Sequence, residues 1–136
     1  MKKILFHVVV FVLLAVTLTA CGGGGPPTKI KSSMTDFKFD PTEYTIAAGK
    51  EITLEIENVG AASHEFVIMK HGLTVGDKFG PEDEENIYWE VEVESGKSDT
   101  VTFMAPSETG EYQVVCGTEG HVEKGMIAKL IVLSAP

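Results

Sequence analysis

Near its C-terminus the chain reads Cys116-Gly-Thr-Glu-Gly-His121-Val-Glu-Lys-Gly-Met126. A thiol, an imidazole and a thioether recur at equal steps in one short stretch. Each alone says little: a lone cysteine is often an inert buried thiol, and a lone methionine before an apolar run is core. Together they make a soft donor set, which selects copper over magnesium or calcium. One more imidazole would complete a plane of two histidines and one cysteine with a weak, distant methionine. His64 is placed to supply it, because it heads the apolar run His64–Met69 directly after the turn Gly60-Ala61-Ala62-Ser63. The expected ligands of one copper ion are therefore His64, Cys116 and His121, with Met126 as the axial fourth.

Ligands from distant parts of a chain must be held by stiff elements. From Ile30 onward the hydrophobic periods are those of strands. Glu51 to Asn58 alternates polar with apolar, so one face is buried and the other wet. Further strands are predicted over Met34–Phe39, Tyr44–Ala47, His64–Met69, Ile87–Glu94, Lys97–Met104, Glu111–Cys116 and Met126–Leu133. Eight strands with turns between them predict an all-β, eight-stranded Greek-key two-sheet sandwich. His71 to Asn86, with the acidic run Glu82-Asp83-Glu84-Glu85, reads as a long surface loop with one irregular helical turn. Met69, Met104 and Tyr112 read as core, and His71 as a solvated turn residue.

The N-terminus carries a different message. Residues 1–20, MKKILFHVVVFVLLAVTLTA, join a positive start to an apolar stretch, as in a secretory signal. The junction Leu18-Thr19-Ala20-Cys21 resembles the bacterial lipobox, which implies a lipid on Cys21 and cleavage before it. An uncleaved membrane anchor is the competing reading. Residues 21–29 form a Gly/Pro linker, and residues 30–136 form the copper-binding domain. Either way the domain is exported and tethered to the outer side of a membrane, facing the periplasm or cell exterior. The chain has 11 lysines, no arginine and 20 acids. So acidic a surface argues against a nucleic-acid partner and favours a basic protein partner.

The run from Phe103 through Ala105-Pro106, Gly110 and Tyr112 to Cys116, Gly120 and His121 resembles the cupredoxins. Asn58-Val-Gly60-Ala-Ala-Ser-His64 is similar to that family's turn into its first ligand. The gaps on either side of His121 are similar to those of rusticyanin and plastocyanin/azurin-type proteins. The resemblance spans residues 30–133. It implies a monomeric, single-copper, one-electron carrier whose redox partners are proteins such as a cytochrome or terminal oxidase. It also implies that the ring edge of His121 reaches the surface. Ala61, Ala62, Val122, Gly120 and Gly125 would surround that edge as a flat docking patch, and Glu82, Asp83, Glu84 and Glu85 would steer the partner. Two departures stand out. Glu65 follows the first histidine where the family often has asparagine, and Glu119 stands where it often has proline. Acids beside the site favour Cu(II), so both are expected to lower the reduction potential.

Other classes fit less well. A dinuclear copper centre needs two cysteines, and only Cys116 lies in the domain. A multicopper enzyme needs more histidines than the three beyond the leader. The chain therefore reads as no enzyme. A copper-carrying or copper-delivery lipoprotein of the same fold is the alternative to electron transfer.

Overall fold

The computed structural model describes residues 24–136. The leader and Cys21 lie outside the described residues. Nine strands follow in order: β1 Lys29–Thr35, β2 Lys38–Asp40, β3 Glu43–Ala47, β4 Glu51–Asn58, β5 His64–Met69, β6 Ile87–Val93, β7 Ser98–Met104, β8 Gly110–Val115 and β9 Ile127–Leu133. They form two sheets, ordered β2-β1-β4-β7 and β3-β9-β8-β5-β6. The all-β two-sheet sandwich expected from the strand spacing is what the chain forms. The linker's last residues join it, since Pro27 and Thr28 carbonyls accept the N–H groups of Ala47 and Thr53 at 3.1 and 2.9 Å.

One predicted strand is divided. Met34–Phe39 does not run straight: Asp36 and Phe37 make a tight turn, and β1 pairs antiparallel with β2 through Met34↔Phe39. Phe37 takes a positive φ of 68° there. The F-x-F alternation therefore reports no common face; Phe39 is fully buried and Phe37 is exposed.

Alternation fixes the inner faces elsewhere. On β4, Ile52, Leu54, Ile56 and Asn58 point inward while Glu51 and Glu57 face water. Phe66 of β5 meets Phe39 and Tyr44 edge-on, at centroid distances of 5.6 and 5.3 Å. Such pairs stabilise beyond their area burial. The Tyr44 hydroxyl shares a 2.7 Å hydrogen bond with Ser32 Oγ, and burial pushes its phenol up to about 12. Tyr112 and Met69 are core as expected. Met104 is not, being 56% exposed, because β7 turns Val101 and Phe103 inward instead.

The long segment between β5 and β6 lies over the outer face of the five-stranded sheet. Val75, Phe79 and Ile87 pack there on Val67, Met69 and Val115 as a second, smaller core. A backbone N–H of Val75 donates to Gln113 Oε1 at 2.8 Å. The irregular turn of helix falls at Glu84–Asn86. His71 is tied down rather than free: its Nδ1 is 2.9 Å from Glu108 Oε1, and its ring lies on Tyr112.

Register places three turns at one end of the sandwich. These are the β1–β2 turn, the β4–β5 turn and the β8–β9 loop. β1 and β4 run parallel through Met34↔Asn58, and β5 begins where β8 ends. Phe66→Ala removes the ring shared by both sheets. It should lower unfolding free energy by about 3–5 kcal/mol, read as an earlier urea midpoint with an unchanged slope.

Candidate metal centre

Each of the three turns delivers part of the site. The β4–β5 turn is organised by buried Asn58. Its Nδ2 donates to the Ala62 and Val93 carbonyls, each at 2.8 Å, and its Oδ1 accepts the Gly60 N–H at 2.9 Å. One amide thus ties the turn to itself and to β6, and fixes where His64 enters β5. The β8–β9 loop closes on itself just as firmly. Cys116 N–H donates to the Met126 carbonyl, and Met126 N–H to the His121 carbonyl, at 3.2 and 3.0 Å. Between them lies a short 3-10 turn, Val122–Lys124, ended by Gly125 in the left-handed region at φ 87°. A side chain is disfavoured in that conformation. Thr118 Oγ1 then bonds the Ser63 carbonyl at 3.2 Å, linking the two loops.

The result is convergence. Donor atoms of His64, Cys116 and His121 all lie within 4.8 Å of one another. The two Nδ1 atoms face each other at 3.1 Å, with Cys116 Sγ 3.3 Å from that of His121 and 3.8 Å from that of His64. His64, Cys116 and Met126 have no exposed surface, while His121 keeps 7%. Two imidazoles and a thiol with a buried thioether in the same loop fit one copper ion by donor chemistry. The backbone N–H of Glu65 donates to Cys116 Sγ at 3.4 Å, a contact that tunes a metal-bound sulfur.

The cupredoxin-like domain matches residues 6–132 of this sequence. The chain belongs to that family. Cupredoxin relatives include auracyanin-A of Chloroflexus aurantiacus, 32% identical over 90% of this chain and 93% of that protein. In three dimensions the chain resembles dithionite-reduced auracyanin from the photosynthetic bacterium Roseiflexus castenholzii. The TM-score is 0.66 at 29% identity, covering 82% of this chain and all of that one. It also resembles the solved auracyanin A, a "blue" copper protein, with a TM-score of 0.63 at 29% identity over 79% of this chain and 99% of the other.

The surroundings differ in places from the sequence reading. Ala61 is exposed and Ala62 half-buried, in the turn that leads into His64. Val122 is not at the surface; it turns inward to the second core beside Val67 and Val115. The loop over the outer sheet face offers it an apolar seat, which no local pattern announces. Of the four acids in the run Glu82-Asp83-Glu84-Glu85, Glu82, Glu84 and Glu85 are exposed. Asp83 is buried and accepts the Gly80 N–H at 3.0 Å, closing a turn. Two residues near the site were not singled out by sequence. Asp36 sits 3.3 Å from His64 Nε2, and Phe37 meets the His121 ring edge-on at 5.2 Å.

Electrostatics separate the two unusual acids. Glu119 is exposed, so water screens it. Glu65 is half-buried beside Gly117, where a Cβ would collide with its carboxylate. Burial raises the Glu65 carboxyl above its ordinary value, with Glu90, Glu92 and Glu84 adding repulsion. Burial likewise lowers His121, assisted by His64. The Ala62 N–H, foremost, lowers Asp36. Of the two acids, Glu65 therefore acts more strongly on the site. Glu65→Gln should raise the reduction potential by tens of millivolts and Glu119→Gln by much less, as read by spectroelectrochemical titration.

Proposed function

We propose that this chain is a one-electron carrier with a single type 1 copper site built from His64, Cys116, His121 and Met126. The observation that carries the reading is the convergence of two Nδ1 atoms and one Sγ at a buried end of the sandwich. Copper in such a site supplies a reversible Cu(II)/Cu(I) couple. The residues supply the rest. Backbone hydrogen bonds hold the ligand loop in one shape, so little has to move between oxidation states. Burial of His64, Cys116 and Met126 keeps water out. The partly exposed edge of His121 is the point nearest a docked partner. The chain is a carrier and not an enzyme, since no substrate is turned over at such a centre.

The carrier is exported, and the lipobox-like junction supports a lipid on Cys21. Two acyl chains anchor stably where one holds only marginally. The Gly/Pro linker then lets the domain meet a membrane-bound cytochrome or oxidase. Exposed Glu82, Glu84 and Glu85, with Glu90 and Glu92 of β6, suit a basic partner.

Titration of the purified chain with Cu(II) should yield intense thiolate-to-copper colour at one equivalent. The colour should bleach reversibly on reduction with copper retained, and Cys116→Ser should abolish it. A colourless wild type sinks the proposal, and copper lost on each reduction points to delivery. Association with a basic donor should slow as salt rises. Cys21→Ser should move the protein from the membrane fraction to the soluble one.

A further inference from the structure

Asp36 and Phe37, the two residues of the β1–β2 turn, each touch a different imidazole. Asp36 Oδ1 accepts the N–H groups of Ala61 and Ala62 at 2.9 and 3.3 Å and lies 3.3 Å from His64 Nε2. An ionised carboxylate oxygen can only accept. The Nε2 facing it therefore carries the proton, and a neutral ring then keeps its lone pair on Nδ1. That Nδ1 is the atom turned toward Cys116 Sγ and His121. Space for the contact is reserved by Gly60: a Cβ there would lie 2.6 Å from Asp36 Oδ1 and 2.7 Å from His64 Nε2.

Phe37 deals with the other ring. Its φ of 68° is a region bulky side chains avoid. In that conformation its ring stands at 87° to the His121 ring, and Lys124 Nζ sits 4.3 Å from its centroid. Outliers of this kind persist where the surrounding structure requires them. Here the surroundings of the Phe37 ring are the His121 imidazole and the Lys124 ammonium.

We propose that the Asp36–Phe37 turn is a positioning device that sets both imidazoles before the metal arrives. Asp36 selects the His64 tautomer and aims Nδ1 inward; Phe37 restrains the plane of His121. Its purpose rests on the copper reading, whereas its geometry does not. Histidine long-range ¹H–¹⁵N spectra of the metal-free chain test the first half directly. Wild type and Asp36→Asn, which keeps an acceptor oxygen, should show His64 protonated at Nε2. Asp36→Ala should show mixed tautomers, and copper affinity by chelator competition should fall roughly 10- to 100-fold. Phe37→Gly should relieve the turn yet broaden the His121 signals and speed copper loss.

A wild type protonated at Nδ1 of His64 overturns the proposal without any variant. So does an Asp36→Ala chain with one tautomer and unchanged affinity, or a Phe37→Gly chain with wild-type His121 signals. A wild type that shows the expected tautomer but takes up no copper supports the device and sinks only the copper reading.

Discussion

The structure depends on holding two imidazole nitrogens and a sulfur together in a place water does not reach. Polar donors stripped of water are costly unless something compensates them. Here the Nδ1 atoms of His64 and His121 are 3.1 Å apart with a thiol against one of them. No single segment could keep them there. His64 is fixed by the Asn58-centred turn, Cys116 by the end of β8, and His121 by a loop whose ends hydrogen-bond each other. The two sheets exist, in functional terms, to bring those segments to one end. A site assembled on such rigid supports is more precise than one left to mobile loops.

Rigidity at that end has a counterpart in charge. Glu65, Glu90 and Glu92 sit on the paired strands β5 and β6, and Glu84 is near enough to act on Glu65. Within the acidic run Glu82–Glu85, Asp83 is committed to closing a turn. Val122 is similarly committed to packing. Next to His121 itself stands the exposed ring of Phe37, contributed by the β1–β2 turn and not by the Cys116–Met126 loop.

The convergence of His64, Cys116 and His121 and the sandwich that holds them were legible because their signals are local. Cys116, His121 and Met126 share one loop, and His64 heads a strand whose apolar run is obvious. Strand β4 declares its inner face by strict alternation. What stayed hidden was non-local or against propensity. Phe37 and Phe39 alternate like strand residues, and a turn built on Asp-Phe without glycine violates the usual turn chemistry. Asp36 reaches His64 only because β1 and β4 lie side by side, a pairing sequence spacing does not encode. Val122 and Asp83 took inward roles from a loop that covers the sheet, and Met104 lost its core role because Val101 and Phe103 hold the inner face of β7.

The two histidines are held by different chemistry, and the difference matches their exposure. His64 is fully buried and faces a carboxylate, which fixes a proton. His121 retains some surface and faces an aromatic edge, which fixes a plane without adding charge. A carboxylate in the place of the Phe37 ring would set a negative charge beside the partly exposed imidazole of His121. An aromatic ring instead leaves that spot apolar, with Lys124 as the nearby cation. Left-handed backbone costs a non-glycine residue about 1–2 kcal/mol, so glycine at position 37 would make the easier turn. The Phe37 ring instead makes two contacts that a glycine would lack, edge-on with His121 and beneath the Lys124 ammonium.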